Sequence, residues 1–345
     1  MKRQPIGVDD FKTIIDLNLC FTDKTLFIKD IIDDGSGVIL IARPRRFGKT
    51  LNMSLLRYYF GKSDVDHCYL FKNFKIWQQG DHYLNEFGRY PVISLTLKDL
   101  KANHWALNYE KLCLTLSSLY CDYPYLLKSD VLQGSDKEMF QSIFDGKATR
   151  PMYEKALSLL CKTLSLYHGE KVVILLDEYD ALLNESYIHG FFEDAIAFMR
   201  PFLSETFKNN IYLRKGVLTG IFRVAMESIF SDMNNLKVST LLSDDYREYF
   251  GFTEDEVRQM LLESEISEKI ENVASWYNGY IFGETKPITI YNPWSIIMYL
   301  DNKTLKPYWI NTSGNAIIRK LAIESNPHVQ LSIQTLIEGG GLRTH

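Results

Sequence analysis

An apolar pentapeptide followed by a basic, glycine-containing loop places the strongest constraint on this 345-residue sequence. Val38–Ala42 precedes the tripeptide Gly-Lys-Thr at 48–50, and residues 50–60 carry apolar side chains at helical spacing before Gly61. A strand that enters such a loop and a helix that leaves it aim backbone N–H groups and the positive helix end at an anion. The sequence therefore predicts a phosphate-binding loop.

Three further apolar runs, at 92–95, 172–176 and 217–219, are short and rich in Val, Ile and Leu. Runs of this kind are typical of parallel strands that are covered on both faces. Helical patterns lie between them, at 152–167 and 191–207. Strands that alternate with helices predict an α/β fold with a mostly parallel sheet flanked by helices.

The loop departs from the usual phosphate-loop pattern G-x-x-x-x-G-K-[ST], because Arg43 stands where the first glycine is expected. Gly48 would let the backbone approach phosphates, Lys49 would reach the β- and γ-phosphates, and the Thr50 hydroxyl would bind Mg²⁺. The alternative is a chance Gly-Lys-Thr at a helix start. The predicted nucleotide-binding residues are Arg43, Pro44, Arg45, Arg46, Phe47, Gly48, Lys49, Thr50 and Leu51.

The three arginines of the loop, Arg43, Arg45 and Arg46, leave three interpretations open. They add positive charge around a triphosphate, they are solvated loop residues, or they dock the acidic surface of a partner. The sequence does not choose among these uses.

The acidic pair Asp177-Glu178 directly follows the apolar run 172–176. A carboxylate at the end of a second buried strand is what a phosphate-loop ATPase needs to hold Mg²⁺, so Asp177 is the predicted metal residue. Glu178 is the predicted residue that polarises the attacking water. Asp180 is a lesser candidate, and the alternative is a strand that ends in an exposed acidic turn.

A glutamate next to the metal-binding aspartate points to ATPases with an extra strand between the phosphate-loop strand and the acidic strand. Residues 213–219 are predicted to form that strand, and Thr219 ends it. Thr219 lies near the γ-phosphate or caps the next turn. Arg223 senses the γ-phosphate, acts across a subunit interface, or is an ordinary surface residue.

From about Gly251 onward, the strand-like apolar runs give way to a polar sequence with a helical pattern. Thr253 and Glu256 form a capping-box signature, and an aromatic stretch follows at 276–282. That stretch indicates core packing, with a partner-binding surface as the alternative. We predict a phosphate-loop ATPase domain over 1–250 and a smaller, mainly helical domain over 251–345. A winged-helix-like fold is one option for the second domain, which we expect to be truncated at its C-terminus.

Composition limits the remaining classes of function. The net charge of −4 argues mildly against direct DNA binding, and no apolar run approaches the ~18 residues of a membrane span. None of the five cysteines forms a C-x-x-C pair, so reduced thiols and a cytoplasmic location are expected. A guanine-reading N-K-x-D motif does not stand out after Asp177-Glu178, which favours ATP over GTP.

Together these motifs resemble the prokaryotic AAA-ATPase-like domain family. The resemblance rests on residues 43–51, on Asp177-Glu178-Tyr179-Asp180, and on motifs that continue to about residue 312. These are Leu218-Thr219-Gly220, Glu227-Ser228-Ile229-Phe230-Ser231, Asn234-Asn235, Phe250-Gly251-Phe252-Thr253, Trp276-Tyr277-Asn278-Gly279-Tyr280 and Tyr291-Asn292-Pro293-Trp294.

The resemblance implies that a phosphate loop without its first glycine is a regular variant. It also implies that Asp23-Lys24-Thr25 belongs to a recurrent N-terminal segment near the nucleotide. Many members carry a C-terminal nuclease-like module of the PD-(D/E)XK type, and we expect this sequence to end before such a module.

Two functions follow as expectations. The first is Mg²⁺-dependent ATP binding and hydrolysis that drives a conformational change between domains or partners, with Lys49, Thr50, Asp177 and Glu178 carrying the chemistry. The second is a nucleotide-gated switch or scaffold with little turnover, which regulates a protein partner, a second copy or a nuclease-like module. A weaker third is the regulatory half of a nucleic-acid-processing protein.

Overall fold

Five parallel strands form the central sheet of the computed structural model, which describes residues 2–221, 229–230 and 233–309. Their order across the sheet is β2-β3-β4-β1-β5. The predicted α/β fold is confirmed, and so is the extra strand between the phosphate-loop strand and the acidic strand. The strands are β1 Val38–Ala42, β2 Val92–Thr96, β3 Val172–Asp177, β4 Leu213–Gly220 and β5 Leu236–Ser239.

Both faces of this sheet are covered, which explains the continuous apolar runs. Side chains alternate along each strand, so Val38 and Leu40 of β1 enter one core cluster while Ile39 and Ile41 enter the other. The first cluster includes residues of the helices α5 Trp105–Cys121, α6 Gly134–Phe144, α8 Ala156–His168 and α10 Phe192–Phe207. The second includes residues of α2 Leu26–Asp33 and α3 Lys49–Phe60.

Glycine residues end two of the helices that flank the central sheet. Helix α3 ends before Gly61, and Gly169 caps α8 at φ 68°. The pattern at 152–167 divides into two helices at Lys155, whereas Pro201 is accommodated inside α10. The other helices of this part are α1 Phe11–Asp16, α4 Asp81–Leu84, α7 Arg150–Glu154 and α9 Ala181–His189, with 3₁₀ turns at Cys68–Leu70, Lys75–Gln78, Pro124–Lys128 and Arg247–Tyr249.

Residues 252–302, here called the second module, combine three helices with a three-stranded antiparallel sheet. The capping box predicted from Thr253 and Glu256 is present. The sheet was not predicted, and its order is β6-β8-β7. The elements are β6 Phe252–Thr253, α11 Glu254–Glu263, α12 Ile270–Tyr277, β7 Asn278–Phe282, β8 Ile288–Tyr291 and α13 Pro293–Asn302.

This module shares a core with the central sheet. Phe282 and Ile290 belong to the same cluster of buried residues as Ile39 and Ile41 of β1. The predicted boundary at residue 250 therefore lies where the chain passes from one sheet to the other, and the division into two domains stays a prediction.

The aromatic stretch at 276–282 has both buried and exposed side chains. Tyr277 is 6% exposed and Phe282 is fully buried, whereas Trp276 is 49% and Ile281 69% exposed. Core packing thus accounts for only part of the stretch. Trp276 and Tyr277 end helix α12, whereas the alternation of Ile281 and Phe282 follows from the strand geometry of β7.

All five cysteines lie in the described part of the chain, and each is a free thiol. Among the helices of that part, none combines the length and apolar character needed to cross a bilayer.

Candidate functional site

The phosphate loop runs from the end of β1 to the start of α3. Gly48, at φ 79°, is the residue before α3, and Arg46 also has a positive φ of 66°. A Cβ at Gly48 would meet no atom within 4 Å, so the left-handed backbone rather than space selects glycine there. The Arg43 N–H donates to the carbonyl of Gly220 at 3.1 Å, which ties the loop to the end of β4.

The side chain of Arg43 packs against the end of β5. The fully buried guanidinium donates to the carbonyls of Ala42, Ser239 and Asp245 at 2.9–3.2 Å, and to Ser239 Oγ at 3.0 Å. It also lies 5.4 Å from the ring centres of Phe250 and Phe282. Burial lowers the pKa of Arg43 to about 10, so it stays charged at neutral pH.

The side chain of Arg43 therefore joins the loop to β5 and the second module, and its contact with nucleotide stays a prediction. Pro44 has no N–H group to offer a phosphate. The carbonyls of Arg43 and Pro44 accept hydrogen bonds from Lys49 Nζ, at 3.1 and 2.9 Å.

Phe47 and Arg46 contact aromatic side chains of the second module. Phe47 is fully buried, and its ring centre lies 4.9 Å from that of Tyr280. The guanidinium carbon of Arg46 lies 4.1 Å from the ring centre of Trp294. These contacts show that the second module is built against the phosphate loop, which the loop's sequence alone does not indicate.

Thr50 and Asp177 meet where α3 begins and β3 ends. Thr50 Oγ1 donates to Asp177 Oδ2 at 2.7 Å, although the two residues are 127 positions apart in the chain. The meeting follows from the parallel sheet, because the carboxyl ends of its strands lie at one edge. Lys49 is nearby: burial lowers the pKa of its ammonium group, and the carboxylates of Asp177, Asp180 and Glu178 oppose that shift.

Glu178 lies in the turn after β3 with a positive φ of 51°. A non-glycine residue in this region is uncommon and carries strain of about 1 kcal/mol or more, a feature found often at functional sites. Its N–H donates to Asp177 Oδ1 at 3.1 Å. Within the described residues its carboxylate accepts no hydrogen bond, so it is available to a ligand or water.

Thr219 and Asp180 hold this edge of the sheet together. Thr219 is 1% exposed and donates through Oγ1 to Asp177 Oδ1, so that it acts on the aspartate rather than on the cavity. Asp180 Oδ2 accepts the N–H of Ile221 at 2.9 Å and thereby links the turns after β3 and β4. Both residues orient the carboxyl end of the sheet.

A cavity of about 580 Å³ opens beside the loop and extends between the N-terminal segment and the second module. Arg45 to Leu51 and Glu178 line it, whereas Arg43, Pro44, Asp177 and Thr219 do not. Apolar walls come from Val8, Phe21, Met260, Trp294 and Ile297. Its size and its mixture of apolar walls with a few charged groups are those of a small-molecule site.

Lys24 places the predicted segment Asp23-Lys24-Thr25 at this cavity. Lys24 lines it, and its Nζ lies 2.6 Å from both carboxylate oxygens of Glu256 in α11 and 2.5 Å from the carbonyl of Glu248. Asp23 instead accepts the N–H of Lys75 at 2.9 Å. The segment thus closes one side of the cavity by joining the chain's beginning to the second module.

One predicted residue is not placed at the site, because Arg223 lies outside the described residues. Lys101, which follows strand β2, lines the cavity. Nothing in the sequence singles out Lys101, and Trp294 was identified only as part of a family motif.

The donors at the loop fit Mg²⁺. A hydroxyl and a carboxylate lie within 2.7 Å of each other, and Mg²⁺ is usually bound by one or two such oxygens together with phosphate oxygens and water. Among the described residues there is no cluster of three or more His, Cys, Asp or Glu of the kind that holds a metal ion unaided. The remaining ligands would come from the nucleotide and from water.

Two known proteins are similar to this chain over most of its length. A protein of Azotobacter chroococcum mcd 1, described only as an uncharacterized protein in the vnfD 5′ region, is 24% identical over 329 residues. The match covers 94% of this chain but 56% of that protein, so the chain spans little more than half of its relative's length. The Walker-type ATPase PABY2304 of Pyrococcus abyssi has 15% identity and a TM-score of 0.41, over 98% of this chain and 77% of that one.

The family model of predicted AAA-ATPases matches residues 5–230. This range contains the phosphate loop, the acidic pair and strand β4, the three features on which the site depends. Since the match covers more than half of the sequence, the chain belongs to the predicted AAA-ATPase family.

Proposed function

We propose that the chain binds ATP with Mg²⁺ in the cavity beside the phosphate loop and hydrolyses it to ADP and phosphate. The hydrogen bond of 2.7 Å between Thr50 Oγ1 and Asp177 Oδ2 carries this proposal. It joins the loop hydroxyl and the strand-end carboxylate that an ATPase uses at one metal ion.

The phosphates lie at the start of α3, where the helix end and the backbone N–H groups favour negative charge. Lys49 exchanges its contacts with the carbonyls of Arg43 and Pro44 for the β- and γ-phosphates. Arg45 adds a positive charge from the cavity wall. Thr50 and Asp177 would hold Mg²⁺, which would neutralise negative charge on the phosphate oxygens.

Glu178 acts on the water. The attacking oxygen forms a bond to the γ-phosphorus, the bond to the bridging oxygen of ADP breaks, and Glu178 orients the water and takes up its proton. Asp177 keeps its orientation because Thr219 and Thr50 each donate to one of its oxygens. The roles of Thr219 and Asp180 are therefore positional.

The nucleoside occupies the apolar part of the cavity, where Val8, Phe21, Met260 and Ile297 are among the lining residues. These surfaces suit a flat base, and adenine is favoured over guanine because no guanine-reading motif stands out in the sequence.

The energy of ATP drives a change between the phosphate loop and the second module. Arg43, Arg46 and Phe47 all contact aromatic side chains at 250–294, so a loop that changes shape on binding ATP alters that packing. The same contacts favour the second candidate function, a nucleotide-gated switch with little turnover whose effect passes to a protein partner or a second copy.

Lys49→Ala tests nucleotide binding. We expect ATP with Mg²⁺ to raise the melting temperature of the intact chain by several degrees, since a ligand at ~100 times its Kd adds about 2.7 kcal/mol. The variant should lose most of that rise, because a charged hydrogen bond to phosphate contributes about 1.5–3 kcal/mol. Thermal unfolding with ATP, ADP and neither measures both.

Lys98→Ala is the control, because this exposed lysine does not line the cavity. An intact chain whose melting temperature responds to neither ATP nor ADP would exclude the site. ATP binding without phosphate release would leave the switch as the function.

A further inference from the structure

Arg46 is a cation held in place without an anionic partner. Its side chain is exposed, it forms no hydrogen bond or ion pair within the described part of the chain, and its guanidinium lies on the Trp294 ring at 4.1 Å. Stacking on an aromatic face orders a guanidinium while leaving the N–H donors at its edge unused. The arrangement presents these donors to whatever enters the cavity that Arg46 and Trp294 both line.

We propose that Trp294 is a positioning residue: it holds Arg46 toward the terminal phosphate of a bound nucleoside triphosphate, so that the second module takes part in distinguishing ATP from ADP. This inference rests on the proposed function and adds a regulatory contact to the same site.

The position of Arg46 favours phosphate as its ligand. It lies two residues before Gly48 in the loop, and Arg45, Lys49 and Thr50 line the same cavity. A guanidinium can donate two parallel hydrogen bonds to phosphate. A freely solvated arginine must first be ordered before it can form them, whereas a stacked guanidinium is already ordered. A contact to the outermost phosphate is present with ATP and absent with ADP.

The backbone of Trp294 is well anchored. Asn292 is 3% exposed and its side chain accepts the Ser295 N–H at 3.0 Å, which caps helix α13, and Pro293 begins that helix. Proline at the first helical position and an asparagine cap both fix the start of a helix. Trp294 is the next residue, so the orientation of α13 determines where the Arg46 guanidinium lies.

The test compares the dissociation constants of ATP and ADP, each with Mg²⁺, in the intact chain and in variants. Arg46→Gln should weaken ATP binding about 10-fold, as expected for the loss of a charged hydrogen bond. Trp294→Leu should weaken ATP binding about three-fold, because the stacking energy is small, and Trp294→Phe should weaken it less. Neither variant should change the dissociation constant of ADP more than about 1.5-fold.

The double variant should bind ATP no more weakly than Arg46→Gln alone, because Trp294 acts through Arg46. Trp276→Leu is the matched control, a half-exposed tryptophan of the same module outside the cavity, and should leave both constants unchanged.

The results that would contradict this inference can be told apart from those that would contradict the proposed function. Equal weakening of ATP and ADP by Trp294→Leu would show a structural role only and overturn the inference, as would additive effects in the double variant. ATP binding unchanged in Trp294→Leu would overturn it while leaving the proposed function intact. An intact chain that binds neither nucleotide would overturn both.

Discussion

Glu178→Gln should lower the rate of ATP hydrolysis by about 10²–10⁴, the usual contribution of a general base. The amide keeps the shape of the side chain but cannot take a proton from water. ATP affinity should stay within about three-fold, since Lys49, Thr50 and Asp177 are untouched. Phosphate release under saturating ATP gives the rate, and equilibrium binding gives the affinity.

Glu265→Gln is a suitable control for this variant. Glu265 also has a positive φ, of 54°, it is exposed, and it does not line the cavity. Glu265→Gln makes the same chemical change away from the cavity, and it should leave the rate of ATP hydrolysis unchanged. If Glu178→Gln hydrolyses ATP at the normal rate, Glu178 is not the base, and the turn after β3 is strained for another reason.

The central sheet and its site could be predicted because they depend on local patterns. The apolar runs of β1 and β3 are continuous, so a parallel sheet follows from them, and parallel strands end at the same edge. Gly48, Lys49 and Thr50 at one strand end and Asp177 and Glu178 at another must then meet. The hydrogen bond between Thr50 and Asp177 is the result.

The direction of a side chain in an irregular loop could not be predicted in this way. The sequence left three uses open for Arg43, and none of them anticipated that its side chain is buried against β5, where Ser239 and Asp245 offer it carbonyl groups. Those partners are about 200 residues away in sequence and belong to no motif. The direction of the Arg43 side chain depends on this distant packing, in which Phe282 of the second module and Phe250, just before that module, also contact the guanidinium.

The antiparallel sheet was missed for a different reason. Strand β7 contains Asn278 and Gly279, which disfavour strands, and its tyrosine and phenylalanine suggested a buried cluster. The alternation of buried Phe282 with exposed Ile281 is a strand pattern, but five residues are too few to separate it from a short apolar run.

Gly251→Ala should destabilise the protein by about 3 kcal/mol. Gly251 has a φ of 100°, where a side chain is strained, and an added Cβ would overlap Ile290 Cγ2 and lie 3.1 Å from Phe47 Cδ1 and the Tyr291 carbonyl. Strain and overpacking each cost about 1–3 kcal/mol. Ile290 and Tyr291 belong to β8, whose pairing with β6 limits their movement. Urea unfolding of the two proteins gives the difference in free energy.

Gly279→Ala is the matched control, because a Cβ there meets no atom within 4 Å and the φ is not positive; a change below about 1 kcal/mol is expected. Gly251 also lines the cavity and lies against Phe47 of the phosphate loop. If the second module supports that loop, Gly251→Ala must weaken ATP binding as well as stability, measured at a temperature where the variant remains folded. Lost stability with normal ATP affinity would mean that the loop keeps its shape without the second module, and that ATP cannot act through this contact.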